Sequence, residues 1–196
     1  MKLKSLALAL IFGGFCLVHA NSAQAQLAPR FGVKAGLGLS KMTGDTFGAS
    51  FGTGFGFGGT AIFDMMPVSL VTDLYLARNN YGGVNSGSKT WDLVIPVQAR
   101  FSVMPMLFIQ GGASFSYGLG SYTEYTDIDS TSISYNLSPV KRTDLSLLFG
   151  LGSEIPLAVG SLQIEGRFAW GMLNRSRAQL QSLKTIHLDL LVGYLF

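Results

Sequence analysis

The chain has 196 residues, of which only 13% are charged, together with 25 glycines and a single cysteine. A length of this order indicates one domain, and a formal net charge of +3 gives no strong attraction for nucleic acid. Soluble domains carry about 25% charged residues, so low charge combined with many glycines favours a β-protein of the membrane.

Residues 1–25 have the pattern of a secretory signal peptide. Two lysines precede the apolar run Leu6–Val18, and Ala23-Gln24-Ala25 is a small-x-small cleavage site. The apolar run is too short for a spanning helix, which needs about 20 residues. We therefore expect a mature domain of residues 26–196 that has lost Cys16 and carries 12 basic and 11 acidic residues.

Cleavage after Ala25 is the expected outcome of export, because the small residues at positions 23 and 25 fit the recognition pattern of the peptidase. Mass spectrometry of the mature N-terminus checks this prediction. An N-terminus that still carries Met1 would contradict it.

From Arg30 onward, apolar and polar residues alternate with period two, which is typical of strands with one apolar and one polar face. The last strand is the clearest case, because every second residue from Ile186 to Phe196 is apolar. About 9–11 residues are enough for a tilted strand to cross a bilayer. The pattern predicts eight strands: Arg30–Ser40, Phe51–Asp64, Val68–Arg78, Thr90–Val103, Met106–Gly118, Thr143–Glu154, Ser161–Met172 and Thr185–Phe196.

The connections between the predicted strands alternate in length. Tight turns follow the second, fourth and sixth strands, whereas longer loops follow the others, the longest being Leu119–Arg142. Outer-membrane barrels have this asymmetry, with short periplasmic turns and long external loops. A strand in lipid must have all its backbone groups paired, which requires closure. The sequence therefore predicts an all-β fold, an eight-stranded antiparallel transmembrane up-and-down β-barrel.

Period two also assigns side chains to the two faces of the barrel wall. Outward aromatic residues at the strand ends are expected to form two girdles at the membrane interfaces. Inward charges must be paired or wetted, and we expect Lys34 to pair with Asp189 because the first and last strands are neighbours on closure. The predicted structural charge network of the lumen comprises Lys34, Asp73, Asp92, Arg100, Glu165, Arg167, His187 and Asp189, with Asp64, Asp144 and Glu154 as further inward acids.

No motif in the chain points to catalysis, a cofactor or a metal. Gly54–Gly59 fits G-x-G-x-x-G, but it lies within a predicted strand instead of between a strand and a helix. His187 is the only histidine of the mature chain, and no His/Cys cluster accompanies it. We expect no catalytic, cofactor-binding or metal-binding residues.

Four segments give the chain a resemblance to the small outer-membrane β-barrel proteins of the porin-family or PorT-like type. These segments are Phe31–Ser40 (FGVKAGLGLS), Trp91–Pro96 (WDLVIP), Phe149–Pro156 (FGLGSEIP) and Gly193–Phe196 (GYLF). The architecture is similar to the eight-stranded OmpX/OmpA fold. The resemblance implies location in the outer membrane of a diderm, Gram-negative bacterium, contact with its lipid, and recognition of Tyr194 and Phe196 by the barrel-assembly machinery as an assembly signal.

The leading hypothesis is a non-enzymatic outer-membrane protein with a structural or surface-interaction role, whose external loops contact an envelope or surface partner and whose lumen is filled by charged side chains. The alternatives are a porin-like channel for small solutes and a lipid-modifying enzyme of the outer membrane. A soluble lipocalin-like barrel would place its apolar residues inside. The face that carries the charges therefore separates the membrane barrel from the soluble carrier.

Overall fold

The computed structural model describes residues 29–44, 50–65, 67–82, 86–120, 123–128, 131–136, 141–175 and 183–196. The predicted signal peptide, residues 1–25, lies outside the described residues. Within the described ranges, no helix is long and apolar enough to cross a membrane.

The described residues form one sheet, and eight of its strands close into a barrel because β1 pairs with both β2 and β10. Successive barrel strands pair antiparallel, so the predicted fold class is confirmed. The barrel strands are β1 (Arg30–Gly44), β2 (Ser50–Met65), β3 (Val68–Gly82), β4 (Ser86–Met104), β5 (Leu107–Gly118), β8 (Thr143–Pro156), β9 (Ser161–Gly171) and β10 (Leu183–Leu195).

The predicted long loop after β5 contains a hairpin that was not predicted from the sequence. Its strands are β6 (Thr123–Ile128) and β7 (Thr131–Asn136), and β6 pairs with residues 86–89 of β4. The strands β1 and β3 also continue four residues beyond their predicted ends. The backbone groups of these extensions pair with neighbouring strands at the end of the barrel with the long loops. The sheet therefore extends beyond the length that a membrane crossing needs.

Pro96 interrupts the pairing of β3 with β4 without changing its register. The pairs Thr72–Val97 and Tyr75–Val94 lie on either side of a gap, and no extra residue is inserted between them. The pairing of Pro96 with Ser114 on β5 is retained. The missing amide hydrogen of proline accounts for the local gap, and the disturbance is confined to one ladder.

Glycines on the inner face make room for large side chains on the neighbouring strands. A β-carbon added at Gly32 would lie 2.6 Å from a methyl carbon of Leu195, and one at Gly193 would lie 2.8 Å from Cγ of Lys34. A β-carbon at Gly58 would overlap the Tyr75 side chain. The narrow lumen is thus filled by large side chains, each of which lies beside a glycine on a neighbouring strand.

We expect Gly58→Ala to destabilise the barrel, whereas Gly59→Ala leaves it unchanged. The inward position at Gly58 is occupied by Tyr75, while a β-carbon at the outward Gly59 meets only one atom, at 3.7 Å. Overpacking of this kind costs about 1–3 kcal/mol. The midpoint temperature of heat-modifiable gel mobility measures the difference, and equal midpoints for the two variants would contradict the crowded-lumen account.

Two small clusters of buried apolar side chains lie towards the two ends of the barrel. Ile62, Val71 and Leu195 form one buried cluster near the short turns. The second cluster, near the long loops, consists of Met42, Tyr81 and Leu183. Apolar clusters therefore lie on both sides of the central polar layer of the lumen.

Candidate functional site in the barrel lumen

Four charged side chains meet in the middle of the lumen, and we call them the ion-pair quartet. Nζ of Lys34 lies 3.3 Å from Oδ1 of Asp73 and 3.1 Å from Oε2 of Glu165. The guanidinium of Arg167 contacts the same two acids. Each of the four residues is at most 6% exposed. Two cations and two anions therefore form a buried cluster without net charge.

The quartet crosses the full width of the barrel. Asp73 lies on β3 and Arg167 on β9, and these strands are four steps apart in either direction around the eight-stranded wall. Their ion pair thus joins opposite sides of the lumen. Lys34 projects from β1, which lies midway between them on one side. This arrangement leaves little free cross-section at the level of the quartet.

Polar side chains from β4 and β5 fill the other side of the same layer. The amide nitrogen of Gln110 donates to Oε1 of Gln98 at 3.0 Å and also to Glu165. Two nitrogens of Arg100 donate to Oε1 of Gln110 at 3.2 and 3.1 Å, and the Arg100 guanidinium lies 3.9 Å from the ring centre of Phe108. Hydrogen bonds therefore link this side to the quartet.

A second group of charges lies at the end of the lumen with the short turns. Nε of Arg30 lies 2.8 Å from Asp64, and its Nη1 contacts Glu154. Ser69 and Ser161 donate to these two carboxylates at 2.6 and 3.0 Å. Both acids were predicted to face the lumen, whereas Arg30 was not among the predicted lumen residues. Arg30 lies on the same face of β1 as Gly32 and Lys34, which both face inward, so the period-two pattern indicates its inward position.

The other half of the lumen contains a cavity of about 40 Å³. Because one water molecule needs about 10–15 Å³ of such volume, the cavity holds only a few waters. Asp92 accepts hydrogen bonds from Asn79 at 2.7 Å and from Thr90 at 2.8 Å, and His187 contacts the Tyr81 ring edge-to-face with centroids 5.9 Å apart. Small side chains on the surrounding strands leave this space open.

The structure separates the eight predicted lumen residues into two groups. Lys34, Asp73, Glu165 and Arg167 meet in the quartet, and Arg100 reaches it through Gln110. Asp92, His187 and Asp189 line the cavity instead.

The predicted pair of Lys34 with Asp189 does not form. Asp189 is in register with Gly38, whereas Lys34 is in register with Gly193. The two side chains are therefore offset along the strands by four residues. Lys34 contacts Asp73 and Glu165 in place of Asp189.

Among the described residues, no three His, Cys, Asp or Glu side chains are grouped in a way that could hold a metal ion. Cation-binding sites in proteins require several such donors around one position.

The two residues predicted as an assembly signal lie at the rim with the short turns. The hydroxyl of Tyr194 donates to the carbonyl of Val159 at 2.7 Å. The backbone nitrogen of Phe196 donates to the carbonyl of Phe31 at 2.9 Å, while the Phe196 side chain is 69% exposed. The terminal ring therefore packs little against the rest of the barrel.

Comparisons with known proteins bear on the whole arrangement. The family profile described as "Outer membrane protein beta-barrel domain" matches residues 6–176. No curated protein sequence matches the chain.

Several solved structures are similar to this chain. The attachment invasion locus protein Ail of Yersinia pestis superposes with a TM-score of 0.52 and 14% identity, over 87% of this chain and 100% of that one. Neisserial surface protein A superposes with a TM-score of 0.50 and 14% identity, over 85% and 97% of the two chains. At these identities the similarity establishes the fold alone.

Proposed function

The chain belongs to the family of outer membrane protein β-barrel domains, and from this premise we propose that it is a non-enzymatic protein of the Gram-negative outer membrane. Its lumen is filled by a structural network of charged and polar side chains. Its external loops carry the contacts with an envelope or surface partner. The lipid of the membrane surrounds the barrel wall, and the barrel-assembly machinery inserts it.

The observation that carries this proposal is the ion-pair quartet, which spans the lumen from β3 to β9. Barrels of about eight strands have an interior just wide enough for side chains to fill, whereas open porins have about 16–18 strands. Apolar clusters flank the polar layer on both sides. These features favour a closed scaffold over a transport path.

The hairpin of β6 and β7 supports a role for the external side. It extends the sheet from β4, and β7 is the last strand in the order, so within the described residues one backbone edge of β7 has no strand partner. Unpaired strand edges are sites at which another chain adds a strand. An envelope or surface protein is the kind of partner that such an edge fits.

A pair of gene replacements in the producing bacterium tests the assignment of function to the loops. One variant replaces residues 121–140 with a short Gly/Ser linker, and the other exchanges the two charged residues of β9, Glu165→Arg with Arg167→Glu. We expect the loop variant to reproduce the defect of a deletion strain in cell-surface adhesion and detergent resistance. The charge-exchanged variant, once shown to fold by heat-modifiable mobility, should behave as wild type.

The reverse outcome would favour the small-solute channel, which has one observation on its side. The cavity in the external half of the lumen shows that the interior is not filled uniformly. If the charge-exchanged variant loses uptake of a small hydrophilic dye and the loop variant keeps it, the lumen is the functional part. The lipid-modifying enzyme has no such support, because His187 lines this cavity instead of the lipid-facing wall.

A further inference from the structure

Acidic side chains of the barrel wall face only the lumen, whereas some basic side chains face outward. All the acidic residues of the described barrel strands occupy inward positions, namely Asp64, Asp73, Asp92, Asp144, Glu154, Glu165 and Asp189. Lys41, Arg78 and Lys184 have the opposite parity and lie on the outer wall, close to the ends of their strands at the external loops. No acidic residue of the described barrel strands has this outward parity.

Lys41 and Lys184 lie close together on the paired strands β1 and β10. Lys184 is in register with Thr43, and Lys41 with Ile186, so the two lysines are diagonal neighbours on one face. Side chains in this relation lie about 7–8 Å apart at their bases. Like charges this close repel each other, and among the described residues no carboxylate forms an ion pair with either. An anion between the ammonium groups removes this repulsion.

Aromatic side chains place the outward cations at the level of lipid headgroups. Nζ of Lys41 lies 5.4 Å from the ring centre of Phe51. Phe55 and Trp91 flank Arg78 on the neighbouring strands and contact each other edge-to-face, with centroids 5.6 Å apart. Outward aromatic residues of membrane proteins lie at the interface between hydrocarbon and headgroups. The three cations are therefore within reach of the phosphates of the outer leaflet.

The opposite rim has no such cations. The short turns at residues 65–68, 103–107 and 155–160 contain no charged residue, and their side chains are largely apolar. The basic residues are thus not a general feature of both membrane interfaces. The outward basic residues lie only at the rim that faces the external leaflet.

We propose that Lys41 and Lys184 bind a phosphate group of a phosphorylated lipid in the outer leaflet, and that Arg78 adds a further cation on the same wall. Ammonium and guanidinium groups form charge-assisted hydrogen bonds with phosphate oxygens. The lipid is the source of the phosphate, because both lysines have outward parity on the lipid-facing wall and the ammonium group of Lys41 lies over the Phe51 ring. The proposal is independent of what the loops or the lumen do.

Binding of diphosphoryl lipid A to the purified full-length barrel in neutral detergent tests the proposal. Native mass spectrometry or a thermal-shift titration gives the Kd. The double variant Lys41→Gln/Lys184→Gln should weaken binding about thirty-fold. Each basic residue near a charged membrane surface raises the affinity about five-fold, and the variant removes two of them. Lys141→Gln/Arg142→Gln removes two exposed cations that directly precede β8 and is the matched control, which should bind as wild type.

Three further arms distinguish the sources of the effect. The conservative variant Lys41→Arg/Lys184→Arg should retain binding, and dephosphorylated lipid A should not bind to any variant. Inorganic phosphate alone should give no thermal shift. Unchanged affinity in the Lys41→Gln/Lys184→Gln variant, an equal loss in the control, or equal stabilisation by inorganic phosphate would each overturn the lipid site.

Discussion

Replacing Arg167 with alanine is expected to lower the free energy of unfolding of the barrel by about 3–5 kcal/mol, because removal of one partner leaves buried charges uncompensated. Arg167 is 2% exposed and contacts both Asp73 and Glu165. Without it, Lys34 alone faces two carboxylates inside a narrow lumen. Urea unfolding of the purified protein in detergent, followed by tryptophan fluorescence, measures the change.

Two comparisons make the Arg167 result specific. Arg142→Ala removes an exposed cation directly before the start of β8, and it should leave the unfolding midpoint unchanged. Arg167→Leu combined with Asp73→Asn removes one cation and one anion together, and it should recover much of the lost stability because the remaining Lys34 and Glu165 still pair. A loss below about 1 kcal/mol, typical of an exposed ion pair, would contradict a buried quartet.

Deletion of Phe196 is expected to reduce the amount of folded protein in the outer membrane severely while leaving the stability of the refolded barrel almost unchanged. The ring is 69% exposed, and its residue makes one backbone hydrogen bond, to Phe31. A loss of yield therefore cannot come from a lost core. It would come from failed recognition by the assembly machinery, which the family resemblance assigns to the terminal aromatic strand. Membrane fractionation and urea unfolding together separate the two effects.

Phe101→Ala is the matched control for the Phe196 deletion. Phe101 is also an outward, exposed phenylalanine near the short-turn rim, but it lies on β4, far from the chain end. Its substitution should change the outer-membrane yield little. If the Phe196 deletion assembled as well as wild type, or if both variants failed equally, the proposed assembly signal would be wrong.

Parity along the strands explains why much of the fold was predictable. A period of two fixes which side chains face the lumen, so the inward positions of Lys34, Glu165 and Arg167 were predictable without knowledge of their partners. The alternation of short and long connections then predicted an even number of antiparallel strands. The lengths of β1, β3 and β4 were underestimated, because their extensions pair with other strands beyond the predicted membrane crossing.

The partners inside the lumen were not predictable, because they depend on register and on contacts across the barrel. A strand pattern with period two is unchanged when the strand slips by two residues, so it could not show that Asp189 lies beside Gly38. Asp73 and Arg167 are 94 residues apart in the chain and meet only because closure places β3 opposite β9. No local sequence pattern can predict a contact between residues so far apart in the chain.

Conductance of the purified monomer in a planar lipid bilayer tests most directly the claim that the lumen is closed. The quartet, the Gln98–Gln110 layer and the two apolar clusters together predict no continuous water path. The expected result is the absence of steady current steps for the wild type under an applied voltage, while an open porin reconstituted in parallel conducts. A large, steady and ion-selective conductance from the wild-type monomer would contradict the account and make the channel the leading function.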